Sequence, residues 1–337
     1  MLPEELREEF GALGLPAFRA KQVFSWLAKG ASSFEEMSDL SRDLRRALDE
    51  RYEIPSLQLL RRQESAIDGT VKLLWRLPDG ESVETVLMRY RHGNSVCVSS
   101  QVGCRMGCAF CASTIGGRVR DLRASEILDE VIRTGIETGA PVSNIVLMGI
   151  GEPLDNFDNV VRFLRLVNHP DGANIGMRHI SLSTCGLTEG IDRLAALDLQ
   201  LTLSVSLHAP DDETRTRLMP VDRAHNVDEV LDACRRYFAK TGRRISFEYA
   251  MVRDMNDTPY HARLLIRRLR GMGAHVNLIR LNYVSERGLL PSTEQRVREF
   301  EKELTDGGIT VTVRRRLGSD IDAACGQLRR GEMRDAL

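Results

Sequence analysis

No stretch of this chain approaches the ~18 consecutive apolar residues of a membrane-spanning helix. Its first residues, Met1-Leu2-Pro3-Glu4-Glu5-Leu6-Arg7-Glu8-Glu9, are acidic and hold no apolar leader core. A cytoplasmic protein with no membrane partner is the expectation. The cysteine usage of a disulfide scaffold is missing too: of seven cysteines in 337 residues, three stand within one eight-residue stretch, which suits reduced thiols and metal or redox chemistry. Net charge is nearly absent; at −1, no global field draws the protein onto nucleic acid. Basic residues cluster only locally, at Arg61-Arg62, Arg243-Arg244, Arg267-Arg268 with Arg270, Arg314-Arg315-Arg316 and Arg329-Arg330. Each reads as a solvated face unless another feature argues for RNA. There is no internal repeat and no low-complexity tract. What remains, 42% hydrophobic and 28% charged residues, is the composition of a globular protein with one large domain and at most a small appendage.

Residues 1–55 read as a helical module with basic edges. Phe18, Val23, Trp26 and Leu27 fall near helical spacing, with Arg19 and Lys21 off that face. Residues 56–92 form a linker with a β-hairpin, Val71–Leu77 and Ser82–Met88 flanking Pro78-Asp79-Gly80. Glu84 shares a face of the second strand with Ser82 and Val86, and a strand glutamate ordinarily faces solvent. From residue 93 strands and helices alternate. Strands are expected at 95–100, 144–148, 179–183, 200–207, 245–251, 275–281 and 309–313. Helices are expected at 124–138, 156–168, 189–197, 227–241, 258–270 and 293–305. Near-continuous apolar strands joined by helices imply a parallel sheet with right-handed crossovers. About six units make an α/β fold with a partial, open parallel β/α barrel over residues 93–330, followed by a tail at 331–337.

The chemistry centres on Cys104-Arg105-Met106-Gly107-Cys108-Ala109-Phe110-Cys111. Three thiolates this close converge on one metal centre. They are one short of the four ligands of a structural zinc ion or a closed iron–sulfur cluster, so a four-iron cluster here leaves one iron open to a substrate. The competing reading is zinc, with Cys97 or His208 as fourth ligand. In a β/α barrel, function sits at the C-terminal ends of the strands. There lie the cysteine loop, Gly149-Ile150-Gly151-Glu152-Pro153, Ser183-Thr184-Cys185-Gly186, Ser206-Leu207-His208-Ala209-Pro210 and Asn282, with Cys325 in the loop beyond the last strand. Glu152 can accept from a ligand amine; Ser183, Ser206, His208 and Asn282 suit a ribose and a carboxylate. Taken singly, Gly-Glu-Pro is an ordinary turn and a strand-end histidine an ordinary hydrogen-bonded residue. Cys325 is flanked by small residues, and Cys97 lies on the strand feeding the cluster loop, so the barrel can bring these two thiols together for covalent chemistry and thiol exchange. Cys185 and Cys234 read as structural.

Cys104-x₃-Cys108-x-Phe110-Cys111 with Gly151-Glu152-Pro153 resembles the radical S-adenosylmethionine superfamily. Val83–Val86, Cys97–Cys104, Met177–Gly186, Ser206–Ala209, Arg217–Pro220, Asp320–Leu328 and Phe18–Gln22 are similar to the dual-specificity RNA adenine-C2 methyltransferases of the RlmN type. The likeness covers nearly the whole chain; Ile150 stands where the family pattern has methionine. It implies that Cys104, Cys108 and Cys111 hold a [4Fe–4S] cluster, with S-adenosylmethionine on the open iron and Gly151, Glu152, Ser183, Ser206, Leu207, His208 and Asn282 around it. It also implies two S-adenosylmethionine molecules per turnover. One methylates Cys325; the second gives a 5′-deoxyadenosyl radical that takes hydrogen from that S-methyl group, and the carbon radical adds to C2 of an adenine. Cys97 then forms a transient disulfide with Cys325, and Glu84 stands at the family's proton-acceptor position. The implied substrates are an adenosine in 23S rRNA and the adenosine 3′ to the anticodon in some tRNAs, with a reductant such as flavodoxin and a monomeric enzyme. The related Cfr-type C8 methyltransferases are the neighbouring alternative, and a non-catalytic zinc-dependent RNA-binding protein is the alternative of another class.

Colour separates the last alternative. Anaerobically purified protein is expected to be brown and to bleach with dithionite; a colourless protein with stoichiometric zinc would contradict the iron–sulfur reading.

Overall fold

The computed structural model describes residues 1–282 and 287–321. It opens with three helices, α1 (Pro3–Ala12), α2 (Ala17–Ala28) and α3 (Arg42–Asp49). Their apolar residues, among them Leu6, Phe10, Val23, Phe24 and Leu48, join the same core as the helices of the barrel. Polar ties reinforce the contact: Lys21 pairs with Asp171 at 2.8 Å, and Arg162 pairs with Glu5. The buried face of α2 is Ala20, Val23 and Phe24. Phe18 does not belong to it: the ring is 56% exposed, with the Arg19 guanidinium 4.8 Å from its centroid. Spacing alone cannot place a residue in the first turn of a helix whose neighbour covers only one side.

Three antiparallel strands follow, β1 (Gln58–Glu64), β2 (Val71–Arg76) and β3 (Ser82–Tyr90), then β4 (Gly93–Cys97). The expected hairpin forms around Pro78–Gly80, but it is not a detached linker. β3 pairs with β4, and β1, which the sequence reading did not anticipate, extends the same sheet. The backbone groups on the edge of β4 are thereby paired rather than exposed. Buried hydroxyls tie the hairpin to the barrel: Trp75 Nε1 donates to Thr85 Oγ1 at 2.9 Å, and Thr85 lies 3.0 Å from Thr134 Oγ1.

After a two-stranded ribbon, β5 (Gln101–Gly103) with β6 (Arg118–Asp121), the chain alternates: α4 (Ala124–Thr138), β7 (Val142–Leu147), α5 (Phe157–Asn168), β8 (Ile180–Thr184), α6 (Thr188–Ala196) and β9 (Thr202–Ser206). It continues with α7 (Asp212–Leu218), α8 (Val227–Thr241), β10 (Ile245–Met251), α9 (Pro259–Leu269), β11 (Ala274–Arg280), α10 (Glu294–Asp306) and β12 (Thr310–Val313). Strand order is β1-β2-β3-β4-β7-β8-β9-β10-β11-β12, with every neighbouring pair parallel from β4 to β12. Six crossovers thus build an open parallel barrel, as the alternation predicts. Among the described residues β12 and β1 do not pair, so the sheet does not close. The face toward the helices is apolar, with Ile145, Leu147, Leu182, Leu203, Val205, Phe247 and Leu278 buried in the core. Strand alternation then points Ser183, Ser204, Ser206, Glu248 and Asn277 to the other, inner face.

Candidate active site

The inner face and the strand ends enclose a cleft of about 560 Å³. Cys104, Cys108, Cys111, Gly151, Glu152, Ser183, Ser206, His208 and Asn282 all line it. Leu207 does not: its side chain has no exposed surface and sits in the main core, because it alternates with its neighbours, leaving only its backbone for the rim.

A continuous hydrogen-bonded rim holds these strand ends. Gly151 has φ +112°, and a Cβ there would stand 2.6 Å from Ser100 Oγ and 2.7 Å from the Gln101 backbone nitrogen, so only glycine lets the loop after β7 press onto the segment after β4. That contact lets the Glu152 N–H donate to Gln101 Oε1 at 2.9 Å. The buried Glu152 carboxylate accepts from Leu154 N at 3.0 Å and from Cys185 N at 2.8 Å, and burial raises its pKa. The Cys185 carbonyl accepts in turn from Arg215 Nη2 at 2.6 Å. Arg215, on α7, has no exposed surface. It also donates to Leu207 O (3.2 Å), His225 O (2.8 Å) and Asp222 (2.8 Å), so its charge is fully compensated. Leu207 N and His208 N donate to Glu248 O, both at 3.2 Å. His208 adopts φ +56°, a strained geometry for a residue with a Cβ, held by Asn256 Nδ2 on its carbonyl at 2.7 Å. Its Nδ1 accepts from Ala250 N at 2.9 Å, which leaves the proton on Nε2. Burial, aided by the Arg215 charge, lowers the imidazole pKa to about 3, so it is neutral at working pH.

The cysteine loop is equally fixed. Ala109 N donates to Leu218 O at 2.8 Å, Cys104 N to Gly117 O at 3.0 Å, and Thr114 Oγ1 to Cys111 O at 3.0 Å. Arg287 Nη2 reaches the Cys111 carbonyl at 3.1 Å. The surroundings are apolar, with Met106, Phe110, Leu218 and Met219 packed alongside Cys108. Burial pushes the Cys104 thiol up to about 12 and raises Cys108 as well, and each would feel the negative charge of its cysteine neighbours. Three soft donors at one cleft wall, two of them with thiol pKa values raised by burial, fit an iron–sulfur cluster, whose iron stabilises the thiolates. Among the described residues, no three Cys, His, Asp or Glu side chains converge on a single ion. The zinc reading finds no support in its proposed fourth ligands either: His208 Nδ1 is engaged with the backbone, and Cys97 packs in a separate group with Val86, Met88, Val146, Met148 and Leu317.

Sequence models of known families match two parts of the chain: the radical SAM superfamily over residues 98–264, and the ribosomal RNA large subunit methyltransferase N-terminal domain over residues 1–54. A probable dual-specificity RNA methyltransferase RlmN of Lachnoclostridium phytofermentans is 51% identical over 328 residues, covering 97% of this chain and 92% of that one. A protein of the same description from Thermoanaerobacter sp. is 48% identical over 336 residues, covering 99% and 98%. The crystal structure of a radical SAM methyltransferase from Sphaerobacter thermophilus superposes with a TM-score of 0.93 at 41% identity, covering 97% of each chain. The chain belongs to the RlmN family.

Membership in the RlmN family, within the radical SAM superfamily, implies a [4Fe–4S] cluster and S-adenosylmethionine, which suit the thiol wall and the polar strand ends. Three other residues were singled out from sequence: Glu84, Cys97 and Cys325. Glu84 is not on a solvent face: it is 3% exposed and its carboxylate lies 3.0 Å from Nζ of Lys72, itself fully buried, because both point to the inner face of the hairpin. Cys97 is buried against Leu317, which belongs to the segment leading toward Cys325. Cys325 itself lies outside the described residues. Cys185 and Cys234 are buried, and Cys185 joins the rim through its backbone N–H and carbonyl, with its side chain also against Glu152. Sequence reading missed Arg215, Gln101 and Asn256. Arg215 sits in a charged stretch, Asp211-Asp212-Glu213-Thr214-Arg215, that resembles any solvated helix.

Removing the Arg215 guanidinium leaves the Asp222 carboxylate and three carbonyls short of a donor. Arg215→Met is expected to cost about 3–5 kcal/mol in denaturant unfolding and to loosen S-adenosylmethionine binding; an unchanged unfolding midpoint would show that the rim does not depend on it.

Proposed function

We propose that the chain is a radical S-adenosylmethionine methyltransferase of RNA that methylates C2 of one adenosine in 23S rRNA and of the adenosine 3′ to the anticodon in some tRNAs. The observation that carries this reading is one cleft. It unites Cys104, Cys108 and Cys111 with Glu152, Ser183, Ser206, His208 and Asn282, and Arg314 through Ser319 of the C-terminal segment enter it. Substantial identity to proteins described as dual-specificity RNA methyltransferases supports RNA as the substrate class.

In this reading Cys104, Cys108 and Cys111 hold the cluster and leave one iron for the amino and carboxylate groups of S-adenosylmethionine. Ser183, Ser206, His208 through Nε2–H, and Asn282 orient the ribose and carboxylate, and Glu152 accepts from the amine. When bound, the cluster and S-adenosylmethionine supply an electron and a 5′-deoxyadenosyl radical. Cys325 carries the methyl group to the base, so that one S-adenosylmethionine is consumed in loading it and a second in activating it. An adenine C2–H is neither acidic nor nucleophilic, so polar displacement does not methylate it, whereas a carbon radical on a protein-bound methyl adds to the ring. Glu84 accepts the C2 proton; Cys97 attacks the Cys325 sulfur and breaks its bond to carbon, so that the carbon stays on the base and takes up a proton as the new methyl group, the surplus electron of the adduct returns to the electron carrier, and cellular thiols reduce the Cys97–Cys325 disulfide. A reductant such as flavodoxin supplies the electron to a monomeric, cytoplasmic enzyme. Recognition of a splayed-out adenosine fits the exposed Arg315 and Arg316 at the cleft, which suit phosphates.

Two variants test the assignment. Cys325→Ala is expected to bind S-adenosylmethionine and to methylate nothing, and Cys97→Ala to accumulate as a covalent protein–RNA adduct on denaturing gels. Retained turnover in the first, or normal product release in the second, would remove that thiol from the mechanism.

A further inference from the structure

A cation from a distant part of the chain is held against the end of the cysteine loop. Arg287, between β11 and α10, donates through Nη2 to the Cys111 carbonyl at 3.1 Å and to Thr114 Oγ1. Thr114 Oγ1 donates in turn to the Cys111 carbonyl at 3.0 Å. Two residues on, Leu289 packs in the same apolar group as Met106, Cys108 and Phe110. The chain beyond is fastened to the end of β10. Arg253 N donates to Leu290 O at 2.9 Å, and Ser292 Oγ to Asp257 at 2.7 Å. Arg287 differs from the two other cations at the loop. Arg105 Nε donates to Asp155 at 3.0 Å and Arg215 Nη1 to Asp222 at 2.8 Å, so a carboxylate neutralises each of them. Among the described residues, the partners of Arg287 are a carbonyl and a hydroxyl, both neutral, and its buried Nε has none. A charge without a counter-ion at a half-buried position is only partly screened.

We propose that Arg287 is a positioning residue that raises the reduction potential of the iron–sulfur cluster held by the cysteine loop, through the charge of its guanidinium. This rests on the reading of Cys104, Cys108 and Cys111 as the cluster ligands, and it requires none of the later steps. Three thiolates outweigh the two positive charges of an oxidised four-iron core, so the ligated cluster is an anion. One electron from an external reductant makes it more negative, and a nearby cation favours that form. The covalent path from the Cys111 carbonyl to its own sulfur bounds the distance from Arg287 Nη2 to Cys111 Sγ at roughly 9 Å. At that separation, with an effective dielectric constant of about 20, one unit charge shifts a one-electron equilibrium roughly tenfold. Net charge and hydrogen bonding around a cluster are general determinants of its potential. Arg287 supplies the charge, and Thr114 and the fastened chain around Leu289 hold it in place.

The test is an anaerobic redox titration of the reconstituted full-length enzyme without S-adenosylmethionine or RNA. Dithionite and mediators set the potential, and electron paramagnetic resonance reads the reduced fraction. At the wild-type midpoint, Arg287→Gln and Arg287→Met are each expected to lower the ratio of reduced to oxidised cluster about tenfold, which places their midpoints about 59 mV lower. Arg287→Lys, which keeps the charge, is expected to stay within about twofold of wild type. Wild-type ratios in the Gln and Met variants would overturn the proposal. So would a Lys variant displaced as far as Met, because the contact rather than the charge would then set the potential. Should Arg287→Met fail to hold iron, the Gln and Lys variants decide. Wild-type protein that takes up no cluster would instead refute the ligand reading of the three cysteines.

Discussion

The guanidinium of Arg215 has no contact with solvent, yet it joins the ends of two parallel strands by donating to the carbonyls of Cys185 and Leu207. A parallel strand that stops leaves its last carbonyls without a partner, and at the end of a barrel several such strands stop together. In this protein the problem is solved by a chain of bonds from Gln101 through Glu152, Cys185, Arg215, Leu207 and Glu248 to His208 and Asn256. Each link satisfies a backbone group of at least one of the two residues it joins. The rim is therefore rigid before any ligand arrives, and the side chains it carries are presented at fixed positions, as a site for a small polar molecule requires.

Two solvents meet along each strand. Toward the helices the sheet is apolar and closely packed; toward its interior it carries Ser183, Ser204, Ser206, Asn277 and Glu248. Asn277 donates to Glu248 at 2.7 Å, and burial raises the Glu248 pKa. On the hairpin the same interior holds the Lys72–Glu84 pair. A barrel filled by aliphatic side chains would have no room for a cofactor; this one trades core for a cleft. Stability comes from the outer layer and the rim, and the cysteine loop is pinned to the end of α7 by the Ala109–Leu218 bond.

Much of this was legible in the chain. Helices at 124–138 and 227–241 were read with the bounds they have, because apolar period and end signals agree; α8, for example, begins with Asn226 and Glu229 in a reciprocal cap. Strand positions followed from apolar runs, and their C-terminal ends located Glu152, Ser183, Ser206, His208 and Asn282 of the cleft, whereas Glu248, Arg280, Thr70 and the cleft-lining Ser113 and Thr114 were not singled out. What failed was what depends on tertiary neighbours. Phe18 has helical spacing but stays largely exposed, with Arg19 over its ring; Glu84 has a solvent-face pattern but meets Lys72 from the adjacent strand; Leu207 stands among site residues yet alternates into the core. β1 carries Gln58, Arg61, Arg62 and Gln63 and is largely exposed, so no hydrophobic pattern marks it. Arg215 looks like surface charge until Asp222 and three carbonyls close around it.

The central claim is that this cleft directs a carbon radical to C2 of adenine. The most direct measurement is the position of the new methyl group in RNA treated with reconstituted enzyme, S-adenosylmethionine and a reductant, mapped by nucleoside mass spectrometry against synthetic standards. The account predicts 2-methyladenosine. A methyl group at C8, or none on adenine, would contradict it.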